Sequence, residues 1–102
     1  HAMLRIPANG MRVFEPIRVM GTAYVDNFVS YKLELNGPGT FDQFIILTEA
    51  TDSVPNMGTL AEFDPAPWEP GLYKFRLVVF DASGTLQSHC EITITITIAS
   101  DN

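Results

Sequence analysis

The clearest pattern along the chain lies in residues 90–98, where four isoleucines alternate with three threonines. A period of two is that of a β-strand with one buried face. The pattern therefore predicts a strand whose isoleucines point into a core. Cys90 shares their parity, so we expect it to be buried, whereas His89 has the opposite parity and should face outward.

Residues 71–80 predict a second strand, which forms a hairpin with the first. The side chains on one face of this strand are all apolar, and those on the other face are a mixture of charged and apolar ones. The first set comprises Tyr73, Phe75, Leu77 and Val79, and the second comprises Leu72, Lys74, Arg76, Val78 and Phe80. The charged side chains mark the second face as the outward one. Residues 81–84 supply turn chemistry between the two strands.

Shorter patterns fill the rest of the chain. Residues 28–35 predict a strand with Val29, Tyr31, Leu33 and Leu35 inward and Ser30, Lys32 and Glu34 outward. Further strands are predicted at residues 4–6, 11–14, 17–23, 41–48 and 59–63, with a turn at 36–39. About seven short strands separated by turns, with no helical periodicity, predict an all-β antiparallel sandwich.

Length and composition agree with one folded domain. The chain has 102 residues, of which 46% are hydrophobic and 18% charged, and these proportions exclude a disordered chain. We assign the domain to residues 4–100. Residues 1–3 read as a cloning remnant, so we expect a domain excised from a longer protein. No apolar stretch approaches the ~20 residues that cross a bilayer, so no membrane insertion is expected.

The net charge and the cysteine content argue against further kinds of partner and site. Twelve acidic residues against six basic ones give a net charge of −6, which disfavours nucleic acid as a partner. Cys90 is the only cysteine, so no intrachain disulfide forms and no cysteine zinc site is expected.

Trp68, Pro70, Gly71 and Tyr73 stand at the entry to the strand predicted at residues 71–80. They resemble the corner at which immunoglobulin-like and fibronectin type III modules enter their penultimate strand. In the modules, the tyrosine hydroxyl bonds to the backbone upstream. The resemblance implies that these four residues form a structural corner and that the sandwich is immunoglobulin-like.

Three further motifs have characteristic spacings: Ile6-Pro7…Gly10…Val13, Pro16-Ile17…Val19…Gly21-Thr22-Ala23 and Leu77…Val79…Asp81…Gly84. They resemble motifs of bacterial immunoglobulin-like repeats. The resemblance extends over residues 4–98. The chain lacks the tryptophan-aspartate-phenylalanine-glycine loop of polycystic-kidney-disease repeats, so the broader immunoglobulin-like group fits better. The resemblance implies an extracellular or cell-surface location as part of a larger protein. It does not imply a ligand, because one sandwich fold hosts many functions.

No catalytic, cofactor or metal site is predicted. His89 and Cys90 are adjacent, so on a strand they point to opposite faces and form no nucleophile–base pair. Several residues in or near turns could offer oxygen ligands to calcium: Asp26, Asn27, Asp42, Asp52, Asp64 and Asp81. Calcium needs about six to eight oxygens at one point, and such residues also bond their local backbone. Calcium binding stays open.

Two functions fit these observations. The first is a non-catalytic module, acting as spacer, adhesion or protein-interaction platform in a larger surface or secreted bacterial protein. The alternative is a carbohydrate- or cell-wall-binding accessory domain attached to an enzyme, with Trp68 either stacking on a sugar or plugging the core. A cluster of exposed aromatic residues would favour the alternative.

Val78 and Phe80 are the predicted interface. Both are apolar on a face marked as outward, so they are either covered by a neighbouring segment of this chain or exposed as a docking patch. An exposed patch would contact a neighbouring domain or another protein, and it would cause weak self-association of the chain.

Overall fold

The computed structural model describes residues 2–83 and 86–98. Eight strands cross this part of the chain: β1 (Ala2–Ile6), β2 (Arg12–Val13), β3 (Ile17–Ala23), β4 (Phe28–Asn36), β5 (Ile45–Ala50), β6 (Val54–Phe63), β7 (Gly71–Asp81) and β8 (Leu86–Ile96). One turn of 3-10 helix, Pro38–Thr40, lies between β4 and β5. Within these ranges, no helix has the length and hydropathy that would carry it across a membrane.

The strands form two sheets that face each other across the core. One has three strands in the order β1-β3-β6, and the other has five in the order β2-β8-β7-β4-β5. Neighbouring strands are antiparallel except β2 and β8, which run parallel. The predicted all-β sandwich is confirmed. The described residues form eight strands where about seven were expected, and the two short pieces on either side of Pro7 lie in different sheets.

The core contains the side chains that the alternating patterns of the two long strands predicted to face inward. The inward side chains of β7 and β8 are buried: Tyr73, Phe75, Leu77, Val79, Ile92, Ile94 and Ile96. From the three-stranded sheet, Phe63 meets Phe75 edge to face, with ring centroids 5.5 Å apart, an arrangement that adds to the free energy of burial. Cys90 points toward this core and packs against it, but it is only partly buried.

A buried tyrosine ties the two sheets together. The hydroxyl of Tyr31, on β4, donates a 2.6 Å hydrogen bond to the carbonyl oxygen of Leu60, on β6. Burial raises the pKa of this hydroxyl, and the negative charge of Asp52 raises it further. The neutral, donating form is therefore the one that the fold favours.

The predicted parity fails at the start of β4. Val29, expected in the core, is exposed, and Phe28 packs against the core instead. The pairing of β4 with β7 shifts register between Phe28 and Ser30. An irregularity of this kind changes which side chain faces inward. Ser30 keeps the outward parity, opposite Phe80, but is buried there.

Several element bounds also differ from the sequence expectation. β1 begins at Ala2, so Ala2 and Met3 pair with β3 and belong to the sandwich. β5 begins at Ile45, and residues 41–44 form a loop rather than the start of a strand. Ile98 shares the parity of the buried isoleucines but lies beyond β8 and is exposed. The predicted turn residue Gly84 and the predicted domain end at residue 100 lie outside the described residues.

The first and last described strands place their outer ends at opposite ends of the sandwich. Ala2 pairs with Ala23, just before the turn at residues 24–27 that leads into β4. Ile96 pairs with Gly71, beside the loop at residues 64–70. We call these the N-terminal end and the C-terminal end of the sandwich. The 11-residue strands β7 and β8 run between them, a span of roughly 36 Å at the rise of a β-strand.

Candidate functional site

The predicted corner at the C-terminal end is present. The hydroxyl of Tyr73 donates a 2.5 Å hydrogen bond to the carbonyl oxygen of Glu69 and accepts a 2.9 Å hydrogen bond from the amide of Gly39. Gly71 has φ of +150°, a backbone angle that side chains disfavour. Trp68 is partly buried and packs against the core. One hydroxyl thus joins the corner to the loop that follows β4.

That loop, residues 37–44, is held against the corner. The Gly37 carbonyl accepts hydrogen bonds from the amides of Thr40 and Asp42, at 3.0 and 3.2 Å. The Gly37 amide donates to the hydroxyl of Thr40 at 2.9 Å. A Cβ at position 37 would lie 2.4 Å from the Tyr73 ring, so only glycine allows this approach. The loop therefore has a defined conformation.

The predicted interface residues lie on the outer face of the five-stranded sheet, but they are covered. Val78 is only 1% exposed, and its neighbours across the sheet are Lys32 and His89. The Lys32 ammonium lies 5.0 Å from the centre of the Phe80 ring and 4.0 Å from a Glu49 oxygen. Of the two alternatives, the structure shows cover from this chain: Val78 is buried and Phe80 is half-buried, and the Lys32 side chain from the adjacent strand lies over the Phe80 ring. Its role as an interface stays a prediction.

A second cation covers the middle of the same face. The Arg76 guanidinium bonds the Glu34 carboxylate through two nitrogens, each at 2.7 Å. The guanidinium carbon also lies 3.6 Å from the centre of the Phe44 ring. The aromatic ring and the carboxylate together hold the arginine in place on this face. We call the half of the outer face that contains Val78 and Phe80 the closed half.

The outer face is open toward the C-terminal end. Leu72, on β7, is 67% exposed, and Ile46, on β5, is 54% exposed. Phe41, at the tip of the 37–44 loop, is 90% exposed. Beside that loop lies a hollow of about 420 Å³ whose lining includes Asp42, Leu72 and Lys74. We call Phe41, Leu72 and the hollow the open patch; Ile46 lies farther across the face, opposite Glu34 on β4.

Sequence reasoning placed Leu72 on the outward face but did not single out the open patch. The available signal was a phenylalanine two residues after the turn-forming run at residues 36–39. In the structure Phe41 and Asp42 both have positive φ, 56° and 60°. Bulky residues rarely adopt this left-handed conformation, and an alternating pattern gives no indication of it.

A smaller cleft lies next to Trp68. It has a volume of about 220 Å³, and Phe14, Pro65 and Ile98 also line it. The cleft is mainly apolar, and it lies at the C-terminal end, away from the closed half. Trp68 thus combines packing against the core with one accessible side.

The other residues considered for chemistry are dispersed. His89 is exposed on the outer face, whereas Cys90 points to the core, as the parity predicted. Of the turn carboxylates, Asp64 accepts a hydrogen bond from the amide of Ala66, and Asp81 accepts one from the amide of Ser83, each at 2.9 Å. Among the described residues, no group of three or more His, Cys, Asp or Glu side chains is arranged to hold a metal ion.

Comparison with known proteins identifies the fold. Neither protein-family models nor curated proteins give a match to the sequence. Among solved structures, the chain is similar to a fibronectin(III)-like module of CbhA from Clostridium thermocellum, with a TM-score of 0.59 and 12% identity. The similarity covers 96% of this chain and 100% of that one. The immunoglobulin-like sandwich that the corner motif implied is confirmed, and the chain has the fold of a fibronectin type III-like module.

Proposed function

We propose that the chain is a non-catalytic fibronectin type III-like module of a larger extracellular or cell-surface bacterial protein, where it acts as a spacer and interaction platform. The observation that carries this proposal is the position of its two ends. β1 starts at the N-terminal end of the sandwich and β8 finishes at the C-terminal end. A domain with this geometry separates whatever is joined to it by its own length.

The distribution of exposed aromatic residues supports a spacer over a sugar-binding face. Among the described residues, the exposed aromatic side chains are Phe14, Tyr24 and Phe41. Tyr24 lies at the N-terminal end, and the other two lie at the C-terminal end. They form no row along either sheet of the kind on which a sugar chain would stack.

A fusion protein tests the spacer role. The chain is placed between two fluorescent proteins and compared with a Gly/Ser linker of equal length, which samples a broad range of distances. We expect low energy transfer with a narrow distribution of distances in single-molecule measurements, and a broad distribution in urea. High transfer in the folded state would place both ends together and would exclude a spacer.

Carbohydrate or cell-wall binding is the second candidate, and the cleft beside Trp68 favours it. Trp68 is the only tryptophan, so its fluorescence reports directly on occupancy of that cleft. The chain is titrated with cello-oligosaccharides and peptidoglycan fragments, and Phe14→Ser serves as the cleft variant. A saturable change that Phe14→Ser weakens would support binding, whereas unchanged emission at millimolar ligand would exclude it.

A further inference from the structure

The open patch exposes apolar side chains on a fixed frame. Phe41 projects from a loop that hydrogen bonds of Gly37, Thr40 and Tyr73 hold in place. Leu72, which lines the hollow, lies on a strand of the five-stranded sheet. Rigid, exposed apolar groups of this kind are typical of contact surfaces, because little conformational entropy is lost when they are buried.

The backbone conformation of Phe41 also indicates a contact surface. Its φ of 56° is unfavourable for a bulky residue, and its side chain remains 90% exposed. This conformation ends the 3-10 turn and lets the Asp42 amide donate to the Gly37 carbonyl oxygen, but it brings no burial of the ring. Strained backbone of this kind occurs often at binding surfaces.

The open patch is complementary to itself. A projecting ring, Phe41, stands next to a hollow of about 420 Å³, which is large enough to take such a ring. Asp42 and Lys74 both line that hollow and carry opposite charges. In the part of the chain that the structure describes, neither forms an ion pair. A second copy, rotated by a two-fold axis, offers a ring to each hollow and an opposite charge to each free charge.

We propose that the open patch is a homotypic docking surface, on which two copies of this chain pair across a two-fold axis. Phe41 of each copy enters the hollow of the other, and Lys74 of each copy faces Asp42 of the other. The predicted self-association is thereby moved from Val78 and Phe80 to the opposite half of the outer face. This inference does not depend on the spacer role, which is proposed from the positions of β1 and β8.

Sedimentation equilibrium of the chain tests the pairing. We expect reversible dimers with a dissociation constant in the micromolar to millimolar range, since the surface is small. Phe41→Ser should raise that constant at least tenfold, because a central aromatic anchor contributes most of the binding energy. Phe14→Ser is the matched control: it removes another exposed aromatic residue at the same end, outside the open patch, and should leave the constant unchanged.

Charge reversal tests the two-fold geometry. Lys74→Glu and Asp42→Lys should each abolish dimers, because like charges would then face each other. An equimolar mixture of the two variants should form heterodimers, since both facing pairs are again of opposite sign. Circular dichroism and urea midpoints confirm that each variant is folded.

Three results would overturn the proposal. The first is a wild-type chain that stays monomeric at millimolar concentration. The second is dimerisation that Phe41→Ser leaves unchanged, which would place the contact elsewhere. The third is a mixture of the charge variants that behaves as its separate components, which would exclude the reciprocal pairing of Lys74 with Asp42.

Discussion

Apolar side chains are buried in one half of the outer sheet face and exposed in the other. Val78 and Leu72 lie on the same face of β7, yet Val78 is 1% exposed and Leu72 is 67% exposed. Parity along the strand is the same for both. The neighbours across the sheet differ: Val78 has a residue on each side, Lys32 on β4 and His89 on β8.

Leu72 lacks this cover because of where the strands end. It is paired with Thr95 on β8, a short side chain. On the other side β4 ends with Asn36, opposite Lys74, so no β4 residue stands beside Leu72. Burial on the outer face of a sheet thus depends on the length of adjacent strands and side chains as much as on parity.

The largest expected effect is a difference in stability between matched substitutions in the two halves of the face. Val78→Asp should destabilise the fold by about 2 kcal/mol or more, because the buried packing of Val78 is lost and a carboxylate is desolvated, a cost that the Lys32 ammonium on the neighbouring strand offsets only in part. Leu72→Asp, the matched control on the same face, should change stability by no more than about 0.5 kcal/mol. Urea unfolding followed by circular dichroism measures both. Equal effects of the two substitutions would show that the closed half is not closed.

A smaller effect is expected at the corner that holds the open patch. Tyr73→Phe removes the hydroxyl that bonds both Glu69 and Gly39, and should cost about 1–2 kcal/mol. The loop carrying Phe41 should loosen, so the Gly39 amide should exchange hydrogen faster than in the wild type. Urea midpoints and hydrogen exchange by NMR measure the two effects. An unchanged midpoint would mean that the corner bond contributes nothing to stability.

The smallest effect at neutral pH concerns the tyrosine behind the closed half. Tyr31 lies opposite Val79, and burial and Asp52 raise its pKa above the ordinary value of 10.0. A folded-state pKa above the unfolded one contributes stability that is complete below the unfolded pKa and is lost as pH rises through the folded pKa. Urea midpoints should therefore fall in the alkaline range. Tyr31→Phe should lower the neutral midpoint and flatten this alkaline decline, and an equally steep decline would assign it to other groups.

The sequence predicted the sandwich and the core faces of β7 and β8, because strict alternation over many residues determines which side chains face inward. It misplaced Val29, because a register shift between β4 and β7 has no signature in the alternation. It also left open whether Val78 was covered, since the cover comes from Lys32, whose pairing depends on strand order. The position of Phe41 depends on a left-handed loop and on a hydrogen bond that the Gly39 amide donates to a residue 34 positions away, and neither is encoded locally.

The parallel pairing of β2 with β8 determines how the module would respond to tension. Gly10 donates to Thr93, Thr95 donates to Met11, and Thr97 donates to Val13, with distances of 2.7, 3.0 and 3.0 Å. Pulling the chain apart at its two ends would drag β2 and β8 in opposite directions along their length. These bonds would then be loaded together in shear rather than opened one after another, so the ladder would act as a mechanical clamp. A force applied perpendicular to the strands would meet no such resistance, because it would break the bonds singly.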